Sequence, residues 1–172
     1  MATEVLIPDA ITTQVSLSGA LTDIDEGTTS PDANWLTNTE TNGNTNELIV
    51  TFPTPSGTLN SGVDLQTIRV WIRRVSGSNS PQYALSVLEN GTPVATTSLT
   101  VSSTTGELGS LPWNAAGLSN ADGSGVEVRI LQTGGGTGRA ANRSWIEIGA
   151  IDWVADYTVP VGGAAVSQAI FI

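Results

Sequence analysis

Between Leu65 and Val75 apolar and polar positions alternate with a period of two. Ile68, Val70 and Ile72 fall on one side, and Thr67, Arg69, Trp71 and Arg73 on the other. Successive side chains of a strand point to opposite faces, so this stretch predicts a strand with one face in a core. The same reading predicts strands over Glu47–Phe52, Tyr83–Leu88, Val94–Val101, Val126–Leu131 and Arg143–Tyr157, and extended chain over residues 4–18. Asn90-Gly91 separates two alternating runs, which predicts a tight hairpin turn. Residues 111–121 predict one helical turn capped by Asn114. In the last strand, Trp145, Glu147, Gly149, Ile151 and Trp153 are expected on one face, and Ile146, Ile148, Ala150 and Val154 on the other.

Helical periodicity is almost absent, and no internal repeat stands out. Gly, Pro, Asn and Ser punctuate the strands at the spacing of sandwiches. The expected fold is an all-β antiparallel β-sandwich, jelly-roll-like, of about eight strands with extended terminal arms. The connection near 102–125 suits a crossover between sheets. The expected organisation is an extended N-terminal segment at 1–18, a sandwich domain at 19–158 and an apolar C-terminal tail at 159–172. That tail is uncharged and ends Ala169-Ile170-Phe171-Ile172, so it is expected to be pinned on its own sheet or on a neighbour.

Composition narrows the chemistry. Among 172 residues there is no His, no Cys and no Lys; the six cations are Arg69, Arg73, Arg74, Arg129, Arg139 and Arg143. The commonest general base, the thiolate nucleophile and the Schiff-base amine are all missing. A net charge of −10 argues against nucleic acid and anionic membranes as partners. Met1-Ala2-Thr3-Glu4 has no basic region followed by an apolar one, so use without Sec export is expected. No apolar run approaches the roughly 20 residues of a membrane span.

Carboxylates remain as candidate chemistry. Asp23, Asp25, Glu26 and Asp32 present hard oxygen ligands at short spacing, which suits Ca²⁺. Their spacing departs from D-x-[DN]-x-[DN]-G, and a solvated acidic loop is the plainer reading; no metal or cofactor is expected. Glu89, Glu127, Glu147, Asp152 and Asp156 are strand-end carboxylates, and a glycosidase would need two of them facing across a cleft. Solvation is the usual role of such groups, and no catalytic residues are assigned. Trp71 between Arg69 and Arg73, and Trp145 after Arg143, predict guanidinium–indole stacking on one face. Exposed Trp would suit sugar binding, whereas five Trp against two Phe and two Tyr points to Trp as core bulk. Gly134-Gly135-Gly136-Thr137-Gly138 lacks the phosphate-loop Lys and reads as a hairpin tip.

Four pieces occur in order: Asp23-Ile24-Asp25-Glu26 with Ser30-Pro31-Asp32-Ala33-Asn34-Trp35; Ile68-Arg69-Val70-Trp71-Ile72-Arg73-Arg74; Leu85-Ser86-Val87-Leu88-Glu89-Asn90-Gly91 leading to Val94-Ala95-Thr96; and Val126-Glu127-Val128-Arg129-Ile130 with Ser144-Trp145-Ile146-Glu147-Ile148. Over about residues 20–157 the chain resembles β-sandwich proteins of tailed-bacteriophage virions, notably head-decoration (cement) proteins and tail or fibre modules. The resemblance implies a non-enzymatic structural protein on the outer surface of the capsid, assembled in the host cytoplasm. Its partners would be the major capsid protein and neighbouring copies, in a homo-oligomer; a trimer would suit a three-fold axis. A carbohydrate-binding module using Trp71 or Trp145 is the alternative. The polar stretch at 37–47 and the C-terminal tail would then be contact arms.

Overall fold

The computed structural model describes residues 1–159. The tail assigned to 159–172, with Ile170 and Phe171, lies outside the described residues except for Val159. Twelve strands run in chain order: β1 (Ala2–Leu6), β2 (Ala10–Val15), β3 (Leu17–Ser18), β4 (Thr37–Asn38), β5 (Glu47–Thr51), β6 (Thr58–Leu59), β7 (Gln66–Val75), β8 (Gln82–Glu89), β9 (Thr92–Thr100), β10 (Glu107–Trp113), β11 (Val126–Gly134) and β12 (Trp145–Thr158). One sheet has the order β1-β12-β7-β10, with β6 also on β12; the second has the order β2-β5-β11-β8-β9. Every listed strand pairing is antiparallel. The chain is an all-β sandwich, as the alternation predicts.

The facing sides of the two sheets make one core. Ile68, Val70 and Ile72 of β7 meet Leu85, Val128 and Ile130 of the other sheet in a single buried cluster. Each such side chain contributes roughly 1.5–3 kcal/mol through burial. Trp153 anchors the lower end: its ring packs edge-on against Phe52 at 6.0 Å and tilted against Trp113 at 5.9 Å. Its Nε1 donates to Gln66 Oε1 at 3.2 Å, so the ring is buried without stranding its donor.

The first eighteen residues are built into the sandwich. β1 lies on β12 and β2 on β5, so one edge segment switches sheets around the buried Pro8. Proline lacks an N–H, which suits a kink between two ladders. Asn90 and Gly91 adopt φ of 49° and 78°, the left-handed pair a two-residue hairpin needs. Asn114 Oδ1 accepts from Ala116 N at 2.9 Å and caps the 3₁₀ turn Ala115–Gly117, as expected. The stretch before that turn is β10, a strand the alternation hid. Gly109 faces inward under Tyr83, and the outward position at 112 is a proline. An edge strand tolerates both.

One expected pattern is overturned in β12. Ile148 pairs with Ile72, but the next β7 residue, Trp71, pairs with Ala150. Gly149 is the extra residue of a β-bulge, and one extra residue reverses the side-chain alternation beyond it. Ile146, Ile148, Ile151, Trp153 and Ala155 therefore all enter the core. Trp145, Glu147, Ala150, Asp152 and Val154 share the opposite face.

Candidate functional site

The bulge decides the chemistry of that outer face. It lets two carboxylates five positions apart, Glu147 and Asp152, lie on the same side of β12, opposite Arg73 and Arg69 of β7. Without the extra residue a spacing of five would place them on opposite faces. Arg69 Nε and Nη2 donate to the two oxygens of Asp152 at 2.7 and 2.8 Å. Asp152 is fully buried and also accepts from Thr28 N at 2.8 Å and Thr28 Oγ1 at 2.9 Å. Arg73 Nε and Nη2 donate to Glu147 Oε2 at 2.9 and 2.7 Å, and Asn38 N donates to Oε1 at 3.1 Å.

The stretch from Ile24 to Asn38 is therefore fastened across β12 by its own polar groups. Leu36 and Ile148 exchange backbone hydrogen bonds, and Trp35 passes against Gly149. The Trp35 ring lies 4.1 Å from the Arg73 guanidinium carbon. Guanidinium stacking does occur here, but on Trp35 rather than on the predicted Trp71 or Trp145. No local signal could have found it, because strand alternation says nothing about a loop residue far away in sequence.

Trp145 is buried, with Nε1 donating to Gly43 O at 3.1 Å. Arg143 precedes β12; it donates to Gly138 O at 3.0 Å and Thr41 O at 3.2 Å. Trp71 stays outside the core, half-buried, directly across from Leu108 of β10, which is 53% exposed.

The polar stretch at 37–47 is tied to the body of the sandwich. Glu40 accepts from Thr41 N at 2.8 Å, Asn42 N at 2.9 Å, Thr45 Oγ1, and Ser16 Oγ at 3.4 Å. The Thr45 hydroxyl and the Asn42 and Thr41 amides hold its pKa down at about 2. Gly43 N bonds to Gly136 O at 3.0 Å, which joins the stretch to the glycine-rich hairpin tip.

The acidic residues near 23–32 serve local turns. Asp23 accepts from Ala20 N at 2.8 Å, Glu26 from Asp32 N at 3.2 Å, and Asp32 from Asn34 N at 2.6 Å. Burial raises the pKa of Glu26, with the Asp32 charge adding to it. Among the described residues no group of three or more acidic side chains, Asp25 included, is arranged to hold a metal ion.

The strand-end carboxylates are similarly engaged. A cavity of about 450 Å³ at the β8–β9 turn is lined by Glu89, Asn90, Thr92, Pro93, Val94, Gly117 and Ser119. Glu89 is its one carboxylate, and both oxygens accept backbone N–H groups, from Ser119 and Asn120, at 2.8 Å. Those bonds lower its pKa. Glu127 accepts from Gly91 N at 2.9 Å, and Asp156 from the Asn60 side chain.

No family model and no curated protein matches the chain. Among solved structures it is similar to an arabinose-bound GH51 α-L-arabinofuranosidase, at 18% identity and a TM-score of 0.39, over 88% of this chain and 26% of that one. The chain thus spans about a quarter of that enzyme's length. A likeness of that grade carries no functional argument.

Proposed function

We propose that this protein is a structural part of a bacteriophage virion, a head-decoration (cement) protein that binds and stabilises the capsid shell. The reading rests on the sequence resemblance over residues 20–157. The observation that carries it further is how the charged side chains are used. Arg69, Arg73 and Arg129 are each paired with a carboxylate, and Glu40 and Glu89 each hold backbone N–H groups. Such pairing makes a stiff body with a strongly acidic surface, suited to fixed contacts repeated many times over a shell.

The partners in this reading are the major capsid protein and neighbouring copies. Purified protein should bind expanded empty heads stoichiometrically and raise their melting temperature. Absence of binding at micromolar protein sinks the reading.

A second reading, a carbohydrate-binding module on a tail or fibre, draws on one observation. Trp71 lies outside the core beside exposed Leu108, on a face stiffened by two ion pairs. Sugars would then change tryptophan fluorescence in the native protein and leave it unchanged in Trp71→Phe.

A further inference from the structure

The outer face of the β1-β12-β7-β10 sheet is banded. Its lowest band is a continuous cross-strand row, Val5–Val154–Thr67–Pro112, in which Val5 is 55% exposed. Above it lies a polar row, Asp152–Arg69–Ser110. Above that lies a second apolar row, Ala150–Trp71–Leu108. Apolar side chains standing open on both sides of an ion pair are unusual on a chain of net charge −10 and call for a cover.

We propose that the cover is the chain's own segment 164–172, folded back over this face. Three observations fit it. The first is position: β12 ends at Thr158 at the foot of the same sheet, and Val159 there is 55% exposed. Gly162-Gly163 then supplies a site for reversal.

The second is reach. Trp71 lies opposite Ala150, eight residues above Thr158, about 26 Å at the rise of a strand. The eight residues from Gly163 to Phe171 span the same distance.

The third is pattern. Thr67 and Trp71, which mark the two apolar rows, are four residues apart on β7, about 13 Å. In the segment Val166 and Ile170 are also four apart, with Ser167 and Gln168 between them. Apolar, polar and apolar positions of the segment thus meet apolar, polar and apolar rows of the sheet. Val166 covers the Val5–Val154 row, Ser167 and Gln168 meet Ser110 and Arg69, and Ile170 and Phe171 cover Trp71 and Leu108. A segment without charged side chains also adds no repulsion to an acidic surface. The inference does not depend on the virion reading, since it concerns the isolated chain.

The absence of cysteine makes a clean test available in the full-length protein. Leu108→Cys with Phe171→Cys should form an intramolecular disulfide under mild oxidation, running as a compact monomer on a non-reducing gel. The control pairs Phe171→Cys with Thr96→Cys, an exposed site on the opposite sheet, and should remain largely reduced. Equal bridging to both sites, as a loose tail would give, overturns the proposal. Disulfide-linked dimers through Cys at 108 and 171 overturn it in favour of a neighbouring copy as occupant.

A second measurement needs no cysteine. Ile170→Ser with Phe171→Ser should raise acrylamide quenching of tryptophan fluorescence, and Trp71→Phe should remove that rise. Unchanged quenching overturns the proposal even if every variant folds.

Discussion

Arg69 and Asp152 face each other across β7 and β12 with both guanidinium–carboxylate bonds below 2.9 Å, and Asp152 has no solvent exposure. The same carboxylate accepts two bonds from Thr28, so it ties a loop to the sheet as well as one strand to another. Breaking a buried pair from one side leaves the other charge uncompensated. Asp152→Ala should therefore cost about 3–5 kcal/mol. For a chain of this length that lowers Tm by on the order of 10 °C. Adding Arg69→Met should recover part of the loss, because the stranded charge is then gone. Thermal unfolding of the two variants checks this; a double variant less stable than the single one contradicts it.

Gly149 makes the ion pairs possible, and its own space is tight. A Cβ there would lie 3.1 Å from the Trp35 ring and 3.3 Å from Asn34 O. Gly149→Ala should push Trp35 off the Arg73 guanidinium, at a cost of about 1–3 kcal/mol. The near-ultraviolet circular dichroism of the tryptophans should change while the far-ultraviolet spectrum does not. An unaltered near-ultraviolet spectrum would show that Trp35 absorbs the methyl without moving.

The bulge also explains what could and could not be read from the residues. Ile68, Val70 and Ile72 alternate without interruption, so β7 and its buried face were legible. Asn90-Gly91 fixed its hairpin because few residue pairs accept two left-handed conformations in succession. In β12 the period breaks at Gly149, and apolar residues on both sides of the break gave a consistent but wrong set of faces. A glycine inside a strand pattern was the available warning. The partner of Arg73 was not legible at all: Trp35 reaches it only through the tertiary path of the 24–38 stretch.

Glu40 should give the chain a specific acid sensitivity. Its hydrogen bonds lower its pKa from 4.5 to about 2, so the folded state binds that proton less tightly than the unfolded chain. The stabilisation is fully present above 4.5 and is lost as pH falls from there towards 2. Glu40→Gln should lower Tm at neutral pH, and its gap from the native protein should shrink steadily below about pH 4.5. A gap of constant size from neutral pH to about pH 2.5 would show that hydrogen bonding to the ionised form is not the cause. The 37–47 stretch should loosen with it, read as faster amide exchange at Thr41 and Asn42.

Trp153 carries the lower core. It is fully buried between Phe52 and Trp113, and its indole N–H is satisfied by Gln66. Trp153→Ala should cost about 3–5 kcal/mol from lost burial and the cavity left behind. Trp153→Phe keeps much of the packing and frees one acceptor site on Gln66 Oε1, which still receives Asp156 N at 3.2 Å. It should cost clearly less than the alanine. Urea unfolding midpoints rank the two, and equal losses would mean that the indole hydrogen bond, rather than bulk, sets the stability.

The choice of arginine over lysine is itself testable at Arg73. Its guanidinium makes two bonds to Glu147 Oε2 while lying flat under Trp35, and a planar fork can do both at once. An ammonium ion on a flexible stem keeps the charge but loses the second bond and the stacked plane. Arg73→Lys should therefore destabilise the protein by about 1–2 kcal/mol although no charge is removed. Arg139→Lys, at an exposed position on the turn before Ala140–Asn142, should change stability by less than about 0.5 kcal/mol. High salt should weaken the Arg73→Lys protein more than the native one, because a single point contact is screened more readily than a stacked, doubly bonded pair. Equal stability of the two lysine variants would mean that charge alone, and not planar geometry, accounts for the arginine at this position.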